Sequence, residues 1–141
     1  MQSTVLIVNE NVNARIIAET LLQSRGVPVV VAEDAMAALD VLERNDSVAV
    51  LLLDLDDMSP GMSGWELLRQ VRRRYGGVAL RRPPRIVAQS ERKEAETEAF
   101  IRHLGADTYL RKPTEPAVLL DTVSSLLGQD DFVPRFSRAA R

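Results

Sequence analysis

The sequence contains no cysteine and only one histidine, His103. The absence of cysteine excludes disulfide frameworks, thiolate nucleophiles and cysteine-ligated metal centres. A single histidine argues against a histidine-based metal site and against Ser–His–Asp catalysis. No apolar run approaches the roughly 20 residues that a membrane span needs, and no signal-type region precedes the first predicted strand. These absences predict a cytoplasmic protein without a membrane partner.

Lysine is also scarce, because the 18 basic residues include only two lysines, Lys93 and Lys112. The formal net charge of −2 gives no reason to expect nucleic-acid binding. The remaining composition is ordinary for a globular protein, with 45% hydrophobic and 27% charged residues among 141. This length predicts one domain, and the composition excludes disorder of the whole chain.

Short apolar runs alternate five times with segments of helical periodicity. The runs are β-branched or aliphatic at consecutive positions, which is typical of strands buried on both faces. The first helical segment carries Ala14, Ile17 and Leu21 on its predicted inner face. The predicted strands are 4–8, 27–32, 48–53, 85–88 and 108–110, and the predicted helices are 13–24, 33–44, 63–75, 90–104 and 114–127. Five β-α units predict a parallel sheet with right-handed crossovers and helices on both faces.

Polar residues follow four of these strands. Along the chain they are Asn9, Glu10, Asp54, Asp56, Asp57, Ser90 and Lys112. In a doubly wound sheet, ligands bind beyond the carboxyl ends of the strands, so we expect these side chains to converge there. Carboxylate oxygens suit a hard cation such as Mg²⁺, and a hydroxyl and an ammonium can donate to phosphoryl oxygens.

The motifs that contain these residues resemble the receiver domain of two-component response regulators over residues 4–128. They are VLIVNEN at the first strand, LLLDLDDMSPGMSGWELL around the third and GADTYLRKP at the fifth. PGMSG after an acidic strand end, combined with GAD-x-Y-x-x-KP, is specific, whereas an isolated KP or GMSG is weak. We therefore predict an α/β fold, a doubly wound five-stranded parallel sheet of flavodoxin-like order 2-1-3-4-5. Residues 3–128 would form the receiver domain, and residues 129–141 a tail that is disordered, a remnant linker or a docking segment.

The resemblance implies a role for each matching residue. An aspartate after the third strand would accept a phosphoryl group from a sensor histidine kinase or a histidine phosphotransfer protein. Ser90 would follow the phosphoryl group, Tyr109 would act as an aromatic switch, and Lys112 would pair with a phosphoryl oxygen. The Lys112–Pro113 peptide bond is commonly cis in such relatives. Glu10 and the acceptor would hold Mg²⁺.

Two departures from the family pattern leave alternatives open. Counting back from Pro60 makes Asp56 the phosphoacceptor, whereas counting along the strand, 44 residues after Glu10, makes it Asp54. We predict Asp54, because choosing Asp56 would bury the charge of Asp54 within a central strand. Asp56 would then offer its backbone carbonyl to the metal. Asn9 replaces the first of two usual acids, so its metal contact would be weak and through water.

The predicted function is therefore that of a phosphoacceptor in two-component phosphorelay signalling. Output would pass through contact with a downstream protein, with homodimerisation left open, and without enzyme activity beyond self-catalysed phosphorylation and dephosphorylation. One alternative is a degenerate receiver that acts as a phosphorylation-independent interaction module. A second is a small phosphatase, because Asp54 and Asp56 resemble the D-x-D motif of haloacid-dehalogenase-like enzymes. That motif normally follows the first strand, which argues against this alternative.

Overall fold

The computed structural model describes residues 3–56, 61–75, 83–92 and 94–132. Strands and helices alternate along the chain, as the sequence predicts. The strands are β1 (Thr4–Val8), β2 (Val29–Ala32), β3 (Val48–Asp54), β4 (Arg85–Ser90) and β5 (Thr108–Arg111). The helices are α1 (Val12–Gln23), α2 (Ala35–Arg44), α3 (Gly64–Tyr75), α4 (Ala95–Leu104) and α5 (Pro116–Phe132).

All strand pairs are parallel, and the sheet has the order β2-β1-β3-β4-β5. The predicted doubly wound, flavodoxin-like order is therefore confirmed. Val8 of β1 pairs with Leu53 of β3, and Asp54 pairs with Gln89 of β4. This register places Asn9, which directly follows Val8, beside Asp54. The carboxyl ends of the three central strands thus lie at one edge of the sheet.

Two apolar cores cover the two faces of the sheet. Leu51 and Leu53 of β3 pack into a cluster with residues of α2, α3 and α4. Val50 and Leu52, which point the other way, pack with residues of α1 and α5. Because alternate side chains of β3 enter opposite cores, the strand needs apolar residues at consecutive positions. This requirement explains the VAVLLL run that ends at the carboxylate of Asp54.

The start of α4 differs from the prediction. This helix begins at Ala95 rather than at residue 90, and Ser90 is the last residue of β4. Ser90 is held in the sheet because its carbonyl oxygen accepts a hydrogen bond of 2.8 Å from the N–H of Lys112. The hydroxyl of Ser90 is therefore presented from the end of a strand rather than from a helix cap.

The position of Ile17 in α1 and the end of α5 also differ from the prediction. Of the three residues predicted to face inwards, Leu21 packs against the core and Ala14 is half-buried, but Ile17 is 60% exposed. Ala18 is buried in its place, together with Leu22. Helix α5 continues to Phe132, beyond the predicted end at residue 127. The boundary between domain and tail remains a prediction, and residues 133–141 lie outside the described residues. No described helix is long and apolar enough to span a membrane.

Candidate functional site

Asp54 ends β3 at the centre of the sheet and is buried, with 6% of its surface exposed. Its Oδ1 accepts hydrogen bonds of 2.9 Å from Nζ of Lys112 and from the backbone N–H of Asp56. A buried carboxylate is costly unless it is paired and hydrogen-bonded. The two donors supply that compensation, so the carboxylate is held in a fixed position at the end of the strand.

Lys112 follows β5 and lies between two carboxylates. Its Nζ is 2.9 Å from Oδ1 of Asp54 and 3.2 Å from Oδ2 of Asp56. Burial lowers the pKa of Lys112, but the hydrogen bonds and charges of Asp54 and Asp56 raise it by more. The net pKa therefore lies above its usual value, and the side chain is a permanent cation at neutral pH. The Lys112–Pro113 peptide bond is cis.

The carboxylate of Asp56 binds the loop after β4. The hydroxyl of Ser90 donates to Oδ1 of Asp56 at 2.9 Å, and the backbone N–H of Glu91 donates to Oδ2 at 2.9 Å. Burial raises the pKa of Asp56, but these two donors together with Lys112 lower it below its usual value. Asp56 is therefore ionised at neutral pH. The predicted proximity of Ser90 to the acidic strand end is present, with Asp56 as its direct partner.

Tyr109 in β5 is half-buried and packs against the core cluster of α2, α3 and α4. Its hydroxyl donates to the carbonyl oxygen of Arg92 and lies 3.3 Å from that of Ser90. The backbone N–H of Arg92 in turn donates to Oγ of Ser90 at 3.1 Å. Tyr109 is thus connected through the β4–α4 loop to the residues around Asp54.

Asn9 and Glu10, which follow β1, are held by interactions that the sequence did not indicate. The side-chain oxygen of Asn9 accepts the backbone N–H of Asn11 at 2.9 Å. Arg15 of α1 donates to the carbonyl oxygens of Asn9 at 2.8 Å and of Glu10 at 3.3 Å. The only sequence signal for Arg15 is its position one turn into the helix that follows this strand.

The donor types at this edge fit Mg²⁺, although the described residues do not form a dense acidic cluster. Among those residues, no group of three or more His, Cys, Asp or Glu side chains could hold a metal ion. Asp57 lies outside the described residues. Mg²⁺ typically uses only one or two carboxylates and completes its shell with waters and phosphate oxygens. The two carboxylates of Asp54 and Glu10 are therefore the type and number of protein ligands that such a site uses.

Gly64 is a further residue of the site that sequence reasoning missed. It is the first residue of α3, and a Cβ atom there would lie 2.8 Å from the backbone oxygen of Asp54. The same atom would lie 3.3 Å from Cα of Leu55. Only glycine lets the start of α3 approach the end of β3 so closely. Gly64 therefore helps to fix the backbone that carries Asp54.

A family model described as "Response regulator receiver domain" matches residues 5–124. An uncharacterised 14.6 kDa protein encoded in the sodA1 3′ region of Leptolyngbya boryana is 33% identical over 122 residues, which are 86% of this chain and 88% of that protein. A chemotaxis protein CheY homologue of Campylobacter jejuni is 33% identical over 116 residues, covering 81% of this chain and 83% of the homologue. The transcriptional regulatory protein CpxR of Escherichia coli is 30% identical over 123 residues, which are 87% of this chain but 48% of CpxR.

Solved structures give the same result. Chemotaxis protein CheY4 of Vibrio cholerae superposes with a TM-score of 0.76 at 25% identity, over 89% of this chain and 99% of that one. A putative two-component response regulator/GGDEF domain protein superposes with a TM-score of 0.81 at 27% identity. That match covers 92% of this chain and 51% of the other. The likeness therefore extends to both single-domain and multidomain proteins.

Proposed function

Because this chain belongs to the response regulator receiver domain family, we propose that it accepts a phosphoryl group on Asp54 from a sensor histidine kinase or a histidine phosphotransfer protein. Receiver domains are signalling modules rather than classical enzymes, and they interact with histidine kinases and downstream effectors. The observation that carries the proposal is the ammonium of Lys112, 2.9 Å from the carboxylate of Asp54 at the end of β3. A downstream protein would read the phosphorylated form by direct contact.

In this transfer the anionic carboxylate of Asp54 approaches an anionic phosphoryl group, and the positive charge of Lys112 would reduce their repulsion. Both hydrogen bonds described for the carboxylate of Asp54 go to Oδ1, so Oδ2 would attack the phosphorus. As the O–P bond forms, the P–N bond of the donor phosphohistidine breaks and its electron pair stays on the imidazole nitrogen. Lys112 would neutralise charge on the transferring group, and Ser90 would donate to one of its oxygens.

Mg²⁺ is the cofactor of the family, and this chain offers residues that would hold it. They are the carboxylates of Glu10 and Asp54 and the backbone carbonyl of Asp56, with Asn9 acting through water. When bound, the ion would neutralise negative charge on the carboxylate and on the phosphoryl oxygens. Because Asn9 supplies a neutral amide where relatives have an acid, we expect weaker Mg²⁺ binding than in a receiver with two acids.

The hydrogen bonds that the two carboxylates accept favour Asp54 rather than Asp56 as the phosphoacceptor. Both oxygens of Asp56 already accept hydrogen bonds, Oδ1 from Ser90 and Oδ2 from the N–H of Glu91. The described donors of Asp54 both fall on a single oxygen. A nucleophile needs an oxygen that is not committed to donors, and Asp54 meets that condition better.

A protein donor, rather than a small metabolite, is supported by the exposed surface of α1. Val12, Ile16 and Ile17 are 54%, 53% and 60% exposed, and they lie on the helix that directly follows Asn9 and Glu10. Adjacent exposed apolar side chains are typical of protein interaction surfaces. A donor that covers this part of α1 would bring its phosphohistidine to the same edge of the sheet as Asp54.

Intact-mass measurement tests the proposal. The wild type, Asp54→Asn and Asp56→Asn are each incubated with Mg²⁺ and acetyl phosphate, and the mass is recorded over time. We expect the wild type and Asp56→Asn to gain one phosphoryl group, and Asp54→Asn to gain none. An adduct lost only in Asp56→Asn would instead make Asp56 the acceptor.

Two other outcomes would favour the alternative functions. No adduct in the wild type, with either acetyl phosphate or a phosphorylated histidine donor, would favour a phosphorylation-independent interaction module. Continuous release of phosphate from phosphate monoesters would favour the phosphatase. Asp40→Asn serves as the matched control, because Asp40 lies on the exposed surface of α2 and its substitution removes the same charge.

A further inference from the structure

Asp56 is held by three donors, which come from the end of β4 and from the residue that follows β5. Ser90 at the end of β4 donates its hydroxyl, Glu91 in the following loop donates its backbone N–H, and Lys112 after β5 contributes its ammonium. The distances are 2.9, 2.9 and 3.2 Å. Three convergent donors of this kind form an anion-binding cradle, and the side-chain carboxylate of Asp56 occupies it.

A phosphoryl group on Asp54 would need the same donors. Lys112 already contacts Asp54 at 2.9 Å, so the cradle and the acceptor share this cation. Ser90 has a single hydroxyl proton, which it donates to Asp56, while its oxygen accepts the N–H of Arg92. A hydroxyl that donates one proton cannot serve Asp56 and a phosphoryl oxygen at full strength together. The two anions are therefore alternatives for one set of donors.

We propose that Asp56 is an internal anion that occupies the phosphoryl-oxygen cradle before phosphorylation and is displaced when Asp54 is phosphorylated. This inference rests on the proposed function. The exposed fractions of the two side chains fit these roles, at 30% for Asp56 and 8% for Asp54. Asp56 can turn towards water when it is displaced, whereas Asp54 remains in place at the end of its strand.

Occupation of the cradle also orders the surface behind it. The carboxylate of Asp56 binds Ser90 and Glu91 from one side, and the hydroxyl of Tyr109 on the other side donates to the carbonyl oxygen of Arg92 and lies 3.3 Å from that of Ser90. The unphosphorylated chain therefore holds the β4–α4 loop in the arrangement that an anion in the cradle dictates. A phosphoryl group on Asp54 must therefore displace Asp56 from these donors, and Asp56 acts as a positioning residue rather than as a reacting group.

Titration with beryllofluoride and Mg²⁺ tests the competition, because beryllofluoride is a phosphoryl analogue that binds an aspartate carboxylate. The backbone N–H of Glu91 is followed by ¹⁵N NMR in the wild type, Asp56→Ala, Asp56→Asn and the charge control Asp40→Asn. We expect the dissociation constant of Asp56→Ala to be about tenfold lower than that of the wild type. Asp56→Asn, which keeps an acceptor but loses the charge, should lie between them, and Asp40→Asn should equal the wild type.

The same spectra without beryllofluoride provide the second measurement. Removing the carboxylate should shift the Glu91 amide signal and increase its hydrogen exchange, and adding beryllofluoride should restore its protection. An equal or higher dissociation constant in Asp56→Ala, or an unchanged Glu91 amide, would overturn the inference while leaving phosphorylation of Asp54 intact. Failure of both the wild type and Asp56→Ala to bind beryllofluoride and to gain a phosphoryl group would overturn the proposed function together with this inference.

Discussion

Replacing Lys112 by methionine should destabilise the protein by about 2–4 kcal/mol at neutral pH. The ammonium is 2.9 Å from the carboxylate of Asp54, whose side chain is only 8% exposed, so the substitution leaves a nearly buried charge without its cation. A hydrogen bond to a charged group contributes about 1.5–3 kcal/mol, and this one carries most of the expected effect. The contact with Asp56 adds less than about 1 kcal/mol, because solvent screens a side chain that is 30% exposed.

A double-mutant cycle separates this pairing from other effects of the substitution. Urea denaturation gives the free energy of unfolding for the wild type, Lys112→Met, Asp54→Asn and the double variant. Since the neutral amide introduced by Asp54→Asn no longer needs a cation, Lys112→Met should be much less destabilising in that background. The expected coupling energy between the two positions is at least about 1.5 kcal/mol.

The matched control is the ion pair of Arg69 and Glu66 on α3. It has the same 2.9 Å separation, but its side chains are 56% and 35% exposed. The same cycle with Arg69→Met and Glu66→Gln should give a coupling of about 0.5 kcal/mol or less. A coupling for Lys112 and Asp54 no larger than that of the control would refute the view that burial makes their pairing strong.

Three further predictions concern the backbone near Asp54, the ion pair that joins α3 to the α4–β5 loop, and the response to acid. Gly64→Ala should destabilise the protein by about 1–3 kcal/mol in urea denaturation, because the new Cβ would lie 2.8 Å from the backbone oxygen of Asp54. Gly128→Ala should instead stabilise the protein by about 0.5–1 kcal/mol, because the space around its Cβ is open. Equal effects at the two glycines would contradict the close approach. Arg72→Ala should cost about 1–2 kcal/mol, because its guanidinium binds Asp107 at 2.5 Å, and Arg73→Ala on the exposed face should change stability by less than about 0.5 kcal/mol. The Asp56 carboxyl has a lowered pKa when folded, so its contribution is complete above its unfolded pKa of about 3.9 and is lost as the pH falls through the lower folded pKa. The difference in unfolding free energy between the wild type and Asp56→Asn should therefore shrink in urea titrations below that pH, and a constant difference would argue against the shift.

The positions of the strands along the chain and of Asp54 were predictable because burial leaves a strong pattern, whereas the order of the strands in the sheet came from the family resemblance. A strand covered on both faces must be apolar at consecutive positions, so the end of VAVLLL marks the carboxyl end of β3. The first polar side chain after it, Asp54, must then lie at the edge of the sheet. The roles given to Asp54, Ser90, Tyr109 and Lys112 came from the family resemblance, and they stay predictions until phosphorylation is measured.

The start of α4 and the exposure of Ile17 in α1 were not predictable for a common reason. Serine is a favourable helix N-cap, but Ser90 instead ends a strand, because it pairs with Arg111 of β5 and its carbonyl oxygen accepts the N–H of Lys112. In α1, Ile17 is 60% exposed and Ala18 is buried, although apolar periodicity alone favours the larger side chain inside. In both cases, tertiary packing decides between two local arrangements of nearly equal propensity.

The partner of Ser90 depends on side-chain direction after β3, which spacing along the chain does not encode. The D-x-D pattern places Asp56 two residues beyond Asp54, and this pattern fits a role as acceptor, as metal ligand or as acid/base. The contacts with Ser90 and Glu91 distinguish these roles because they show that the carboxylate points towards the end of β4. Ser90 and Asp56 are 34 residues apart in the sequence, and no local pattern predicts a contact over that separation.

The position of Lys112 gives a physical reason for a lysine in a sequence that contains only two. Its Nζ contacts oxygens of two different carboxylates, at 2.9 and 3.2 Å, and these carboxylates come from a strand end and from the loop that follows it. An ammonium is a compact charge that can divide its donors between two anions, whereas the planar guanidinium of arginine favours two parallel hydrogen bonds to one of them. Because a phosphoryl group would have to take the place of Asp56 while the bond to Asp54 persists, the shared cation must release one partner without losing the other. A lysine meets that requirement in a chain that otherwise uses arginine for nearly all of its positive charge.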